Sequence, residues 1–314
     1  MRLRRIATIT AVAAAAAATV FATTAALFPA APRDPVQQPL PALTSQALAA
    51  RYTADSAAIT KAAASAKRIG DPALARALDA LRGRHFLSFD PRGPGEAIEV
   101  LGDLATATRV AVLVPGSDTS LATFGSRGTA SPAGAAAALA AQARQLDPGA
   151  RLAVIAWLGY STPATLSTGV LTSGDAGQGA SALRPFVTDL ARHGARVALL
   201  CHSYGTVVCG LAAPRLPVTD IAVFGSPGMD VSSVRQLHTS ARVWAGRGGG
   251  DWIRYAPHAE LLGLGFGPDP TAPAFGARPF GCGAGGHSGY FRPGGMALRN
   301  LARIALGDPA GVTR

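Results

Sequence analysis

The chain has 314 residues, of which 48% are hydrophobic, and carries a formal net charge of +11. This length fits one α/β domain or two small ones, and the apolar content is ample for a large core. The arginines are scattered and no basic run is interleaved with aromatic residues, which argues against a nucleic-acid-binding protein.

Residues 1–32 have the pattern of a targeting segment. Arg2, Arg4 and Arg5 precede an uncharged, Ala-rich run over residues 6–28, and several prolines follow it. The pattern predicts a cleaved secretory signal peptide, with an uncleaved membrane anchor as the alternative, because the run is just long enough to span a bilayer. We therefore expect a secreted or cell-envelope protein, with peripheral association with the membrane or envelope as a further option.

The rest of the chain combines a Pro-rich linker and helical prefix over residues 33–84 with one domain over residues 85–314. Two short apolar segments, 86–89 and 97–101, are joined by turn formers and predict an antiparallel hairpin. Strand and helix patterns then alternate, with strands predicted at 109–114, 151–157, 195–200, 221–224 and 241–244, and helices at 132–146, 180–192, 206–213 and 293–306. This order predicts an α/β fold with a mostly parallel sheet, an N-terminal antiparallel hairpin and helices on both faces.

One tight turn is predicted between the strand at 195–200 and the helix at 206–213. It carries the sequence Cys-His-Ser-Tyr-Gly, with Ser203 at its apex. Residues two before and two after such a serine must be small, and Gly205 meets that demand, whereas Cys201 replaces the usual first glycine. The pattern is typical of the nucleophile elbow of α/β-hydrolases. An inert serine in an ordinary strand-to-helix turn is the less favoured alternative, and His202 is interpreted as a packing residue.

A serine nucleophile needs a base and an acid, which follow it in that fold in the order acid, then histidine. His287 lies in a glycine-rich loop before the last helix and is the predicted base, with His238 and His258 as alternatives. Asp251 follows the last predicted strand of the domain and is the predicted acid, with Asp230 as the alternative.

The oxyanion of an acyl-transfer reaction needs two N–H donors. The backbone N–H of Tyr204, directly after the serine, is the first candidate. The second is expected from the loop after the strand at 109–114, where Gly116 permits close approach of the backbone. Ser117 or Asp118 would supply it, and we favour Ser117.

Three cysteines are present, Cys201, Cys209 and Cys282. An exported protein can form one disulfide from them, and the sequence leaves open which two residues pair. The spacing of Cys and His residues does not indicate a metal site, and no cofactor is predicted.

Several short motifs occur in a characteristic order between residues 85 and 306: Phe89-Asp-Pro with Gly93, Val112-Leu-Val-Pro-Gly116, Cys201-His-Ser-Tyr-Gly205, Phe224-Gly-Ser-Pro-Gly228, Asp251-Trp-Ile and Gly286-His-Ser-x-Tyr290. With them the chain resembles an uncharacterised α/β-hydrolase domain family found in exported proteins of high-GC bacteria. The resemblance implies the α/β-hydrolase fold and a triad of Ser203, Asp251 and His287, and it implies no substrate. The family commonly has glycine where this chain has Cys201.

The leading hypothesis is an exported serine hydrolase that cleaves a carboxylic ester or thioester, with a small acyl or lipid ester as substrate. An amidase or peptidase with the same triad is the alternative within enzymes. A non-catalytic hydrolase-fold protein that binds an envelope ligand is the alternative from another class. A cysteine nucleophile at Cys201 is disfavoured, because that residue would end a strand beneath the turn.

Overall fold

The computed structural model describes residues 37–126, 128–261 and 264–314. The targeting segment predicted for residues 1–32 lies outside these ranges. None of the described helices combines the length and the apolar character that crossing a bilayer requires.

An eight-stranded sheet forms the centre of the described chain, in the order β1-β2-β4-β3-β5-β6-β7-β10. In chain order, the strands are β1 (His85–Asp90), β2 (Glu96–Leu101), β3 (Arg109–Val114), β4 (Leu152–Leu158), β5 (Arg196–His202), β6 (Asp220–Phe224), β7 (Arg242–Gly246), β8 (Glu260–Leu261), β9 (Leu264–Gly265) and β10 (Arg278–Pro279). The β1–β2 hairpin is antiparallel and β2 pairs antiparallel with β4, whereas the pairs from β4 to β10 are parallel. The predicted fold class is confirmed.

Helices cover both faces of the sheet. They are α1 (Ser45–Arg68), α2 (Pro72–Asp79), α3 (Leu121–Phe124), α4 (Pro132–Leu146), α5 (Gly174–Arg192), α6 (Gly205–Ala212) and α7 (Met296–Leu306). Apolar residues of α4 and α7 pack on one face, and those of α5 and α6 pack on the other. The helical prefix, α1 and α2, packs beside β1 on the α4 face.

Strand sequence explains how the sheet separates these two cores. Nearly every residue of β3 and β5 is apolar, as expected of parallel strands that are buried on both faces. Neighbouring residues alternate between the faces, so that Leu113 belongs to the α4 side and Val114 to the α6 side. The carboxyl ends of β3, β5, β6 and β7 therefore meet at one edge, from which the loops carrying the candidate residues emerge.

Several elements differ from the sequence prediction, among them α3, β8 and β9, which were not predicted. Helix α5 begins at Gly174, ahead of the predicted residue 180, over a stretch that contains three glycines. Glycine disfavours helices. This first turn is stabilised by tertiary contacts instead, because Ala176 is fully buried and its N–H donates to the Tyr204 hydroxyl at 3.1 Å. The parallel edge strand β10 was not predicted, because two residues, one of them proline, leave no periodic pattern.

Candidate active site

The turn between β5 and α6 places Ser203 at its apex. Ser203 has a φ of 53°, in the left-handed region that non-glycine residues rarely adopt. A Cβ at Gly205 would lie 2.5 Å from the carbonyl oxygens of Val114 and Pro115, and a Cβ at Gly116 would lie 2.6 Å from the Ser203 Cβ. Both glycines therefore let the β3 loop approach the elbow.

A continuous chain of hydrogen bonds links the predicted serine, histidine and aspartate. His287 Nε2 lies 2.9 Å from Ser203 Oγ, and His287 Nδ1 lies 2.9 Å from Asp251 Oδ1. The carboxylate can only accept, so Nδ1–H donates to it and Nε2 is left to accept the serine proton. The structure thus brings together three side chains from the ends of β5 and β7 and from the loop before α7.

Three hydrogen bonds hold the Asp251 carboxylate as an anion. Besides His287, Ile253 N–H donates to Oδ1 at 2.9 Å and the Tyr290 hydroxyl donates to Oδ2. Burial raises the pKa of Asp251, but these hydrogen bonds outweigh it and hold the pKa at about 2. The fully buried carboxylate is therefore ionised across the physiological pH range.

His202, the residue before the serine, does more than pack beneath the elbow. Its Nε2 donates to the carbonyl oxygen of His287 at 2.8 Å, and its ring lies 5.4 Å from the Phe224 ring. Burial and the neighbouring charge of His287 lower the pKa of His202 to about 3. A neutral imidazole therefore ties β5 to the loop that carries His287.

The backbone N–H groups of the loop after β3 and of the elbow differ in whether they already have an acceptor. The N–H of Asp118, the alternative oxyanion donor, already has an acceptor, because it donates to the carbonyl oxygen of Pro163 at 3.0 Å. Among the hydrogen bonds of the described residues, none uses the N–H of Ser117 or of Tyr204. Both residues line the same cavity as Ser203.

The alternative acid and bases lie elsewhere. Asp230 follows β6, and its N–H donates to the carbonyl oxygen of Phe266. His238 lies after a short 3-10 turn in a left-handed conformation, and His258 Nε2 lies 3.9 Å from a carboxylate oxygen of Asp269. The carboxylate that accepts the hydrogen bond from His287 Nδ1 is thus that of Asp251.

A sequence profile described as "Alpha/beta hydrolase" matches residues 90–261, more than half of the chain. The chain belongs to this α/β-hydrolase family. It is also 31% identical, over 259 residues, to an uncharacterized protein of Mycobacterium tuberculosis. The match covers 71% of this chain and 39% of the relative, so the chain spans well under half of that protein's length.

Solved structures of low sequence identity resemble this α/β-hydrolase as well. Esterase PE8 is 17% identical, with a TM-score of 0.44 over 67% of this chain and 97% of the esterase. Dienelactone hydrolase from Anabaena variabilis is 16% identical, with a TM-score of 0.46 over 74% of this chain and 97% of that hydrolase.

The departure of this α/β-hydrolase from glycine at position 201 has a structural reason. Cys201 forms a disulfide with Cys209 on α6, so its side chain turns away from Ser203 into the buried core on the α6 face. The third cysteine, Cys282, is a buried free thiol whose pKa burial raises to about 12. The sequence left the disulfide pairing open, and the structure pairs Cys201 on β5 with Cys209 on α6, on either side of the elbow.

Sequence reasoning missed several supports of this α/β-hydrolase site. Tyr290 carried no predicted role, although its spacing of three residues from His287 was a visible signal. Thr206 is fully buried, and its hydroxyl lies 2.7 Å from the Ser203 carbonyl oxygen and 2.8 Å from Ser226 Oγ. Trp252 stacks obliquely on His287, with ring centroids 4.7 Å apart, and partly covers it.

Ser203 and His287 open into a cavity of about 1020 Å³. Its wall is mainly apolar and includes Phe266, whereas Phe275 and Phe280 pack in the core. Within the described ranges, no group of three His, Cys, Asp or Glu side chains is placed to hold a metal ion.

Proposed function

We propose that the protein is a serine hydrolase that cleaves a carboxylic ester or thioester through an acyl-enzyme on Ser203. The observation that carries this proposal is the chain of contacts from Ser203 through His287 to the buried Asp251, each 2.9 Å long. Two unengaged N–H groups and an apolar cavity beside Ser203 support it further.

The reaction follows from this geometry. Ser203 Oγ attacks the carbonyl carbon while His287 Nε2 takes the hydroxyl proton, and the imidazolium that forms is stabilised by Asp251. The N–H groups of Tyr204 and Ser117 donate to the oxygen that becomes negative. His287 then gives its proton to the leaving alcohol or thiol, and a water molecule repeats the sequence to release the acid.

The cavity wall favours an ester over a peptide. A peptide carries a polar amide at every residue, and an apolar wall leaves such groups unpaired at a cost of about 1–3 kcal/mol each. An apolar acyl ester has few polar groups besides the reacting one. An amidase or peptidase with the same triad is therefore the second outcome to test.

We also propose that the protein is exported to the cell envelope or beyond. The sequence pattern of residues 1–32 motivates this proposal. The disulfide between Cys201 and Cys209 supports it, because such bonds persist mainly in oxidising compartments.

Labelling with a fluorophosphonate tests the proposed nucleophile directly. We expect one adduct, on Ser203, which His287→Ala abolishes or slows strongly. Ester hydrolysis should fall by about 10⁴-fold or more in Ser203→Ala. Ser181 is an exposed serine on α5, so Ser181→Ala is the matched control and should change neither the labelling nor the rate of ester hydrolysis.

Three results would contradict parts of this proposal. Full ester hydrolysis by Ser203→Ala would remove Ser203 as the nucleophile. Labelling together with cleavage of amides in preference to esters would favour the amidase. A folded protein without any adduct would point to a ligand-binding protein of the same fold.

A further inference from the structure

We propose that the cavity beside Ser203 binds a long, unbranched acyl chain and that Ala135 on α4 limits the length of that chain. This inference deepens the proposed function and rests on it. It concerns one part of the cavity wall, which we call the acyl floor. The acyl floor consists of Leu113, Ala135, Leu200, Phe224 and Phe291.

The acyl floor is apolar and nearly buried. All five side chains line the cavity, although none is more than 7% exposed to solvent. An apolar ligand in the cavity would gain dispersion contacts with these side chains. A polar ligand would have to give up its own hydration there without replacement.

Strand register explains why these residues meet next to the nucleophile. Leu113 at the end of β3 pairs with Leu200 on β5, three residues before Ser203. Phe224 ends β6, the next strand, and packs edge-on against Phe291 with ring centroids 5.6 Å apart. All belong to the core on the α4 face, so the acyl floor runs away from Ser203 on one side of the sheet.

Helix α4 contributes one residue to the acyl floor. Ala135 lies in the first turn of α4 and contributes only a methyl group. The neighbouring Ser131 hydroxyl is already engaged, since it donates to the carbonyl oxygen of Ser126 at 2.8 Å and accepts from the N–H of Gly134 at 3.1 Å. A larger side chain at position 135 would therefore shorten an apolar channel without removing a polar partner.

The charges along the wall also favour an uncharged chain. Among the lining residues that the structure describes, there is no Lys or Arg. The carboxylate of Asp118 is engaged by the N–H of Thr165 at 2.9 Å and by its hydroxyl. Three exposed apolar side chains, Leu171, Trp252 and Leu264, line the cavity as well, where they can contact the remainder of a lipid ester.

Fluorophosphonates with alkyl groups of increasing length test this inference without a known substrate. The rate at which butyl, octyl and dodecyl probes label Ser203 is measured for the wild type, Ala135→Leu and Ala137→Leu. Ala137 lies on the exposed side of α4 and is the matched control. Each buried methylene can raise the labelling rate by up to about fourfold, so we expect the octyl probe to exceed the butyl probe by at least about tenfold.

In Ala135→Leu, we expect the octyl and dodecyl rates to fall about tenfold while the butyl rate stays within about twofold of the wild type. Ala137→Leu should match the wild type throughout. If Ala135→Leu does not fold, Ala135→Val should show a smaller loss in the same direction. Hydrolysis of p-nitrophenyl esters from acetate to dodecanoate should follow the same order.

The outcomes separate the two proposals. Butyl labelling of Ser203 without a gain for longer probes overturns the acyl-chain site and leaves the activated serine intact. A gain with chain length that Ala135→Leu and Ala135→Val leave unchanged overturns the assignment to the acyl floor. Absence of labelling by every probe, on folded protein, overturns the proposed function and this inference with it.

Discussion

His202 donates its Nε2 hydrogen to the main-chain carbonyl oxygen of His287 across 2.8 Å. This bond joins the residue beside Ser203 to the backbone of the residue that would act as base. The segment around His287 is rich in glycine and has few side chains with which to anchor itself. The position of His287 therefore depends on a tether from β5.

Loss of this tether should lower turnover more than substrate binding. In His202→Phe, the ring shape is roughly kept and the donor is lost, so we expect kcat to fall about ten- to a hundredfold with little change in KM. His202→Gln restores a donor and should recover part of kcat. Because the pKa of His202 is about 3, the difference between the variants should persist at every pH above about 5.

Steady-state kinetics of both variants check this prediction, with circular dichroism to verify the fold. Equal losses in His202→Phe and His202→Gln, or a change confined to KM, would contradict a positioning role for the Nε2–H donor.

Tyr290 should support Asp251, the proposed acid, in a similar way. Its hydroxyl donates to Asp251 Oδ2 and accepts from the N–H of Gly248 at 3.2 Å. In Tyr290→Phe, the carboxylate and the N–H each lose a partner in a buried place. We expect kcat to fall about tenfold and the free energy of unfolding to fall by about 1–3 kcal/mol.

Urea denaturation and ester hydrolysis measure these two effects of Tyr290→Phe. Tyr255→Phe is the matched control, because that ring is 81% exposed and should be indifferent to loss of its hydroxyl. Unchanged activity and stability in Tyr290→Phe would show that the two hydrogen bonds contribute nothing.

Much of this arrangement could be predicted because it follows from local patterns. Continuous apolar runs marked the parallel strands. Ser203, Asp251 and His287 also occur along the chain in the same order as the loops that carry them at the sheet edge. The beginning of α5 could not be predicted, because a buried tyrosine hydroxyl and tertiary packing override its weak local helix propensity.

Long-range partners were the main part that the sequence could not reveal. Tyr290 and Asp251 are 39 residues apart, and no local period connects them. The disulfide partner of Cys201 depended on how far the elbow brings α6 back against β5, which is a matter of tertiary geometry. The same holds for Ala135, whose place in an Ala-rich helix gave no sign that it faces the cavity.

The disulfide across the elbow should stabilise the fold. Cys201 and Cys209 lie eight positions apart in the sequence, and closing a loop of that size constrains the unfolded chain by about 2–3 kcal/mol in the entropic model. We expect Cys201→Ala/Cys209→Ala to lose about that much free energy of unfolding. A reductant should destabilise the wild type similarly and leave the double variant unaffected.

Cys282→Ala is the control for the disulfide, because it retains the Cys201–Cys209 bond and should keep the sensitivity to reductant. Denaturation curves with and without dithiothreitol check both variants. The prediction would be contradicted if dithiothreitol leaves the stability of the wild type unchanged although mass spectrometry of the intact protein shows that the disulfide is reduced.

Buried carboxyl groups on α1 and β2 should make the stability of the protein depend on pH. Glu96 on β2 is 1% exposed, and burial raises its pKa to about 7, with the nearby Asp90 and Asp55 adding to the rise and a hydrogen bond with Ser88 opposing it. Burial likewise raises the pKa of Asp55 to about 6, against the opposing effects of Arg51 and Gln38. Within the described chain, Glu96 Oε1 and Asp55 Oδ2 accept no hydrogen bond.

The sign of the effect follows from which state holds the proton. Below pH 4.5 Glu96 is protonated in both states, and between pH 4.5 and about 7 the unfolded chain releases the proton that the folded protein keeps. The free energy of unfolding therefore falls as pH rises through this window, by about 1–3 kcal/mol for Glu96, and the loss is complete above pH 7. Glu96→Gln stays neutral at every pH and should flatten this decline, making the variant more stable relative to wild type at pH 8 than at pH 4.5. Asp147→Asn, an exposed carboxylate at the end of α4, should leave the slope unchanged. Urea titrations at half-unit steps from pH 4 to 8 measure the slope, and a Glu96→Gln slope equal to that of the wild type would show that Glu96 has the same pKa in the folded and unfolded states.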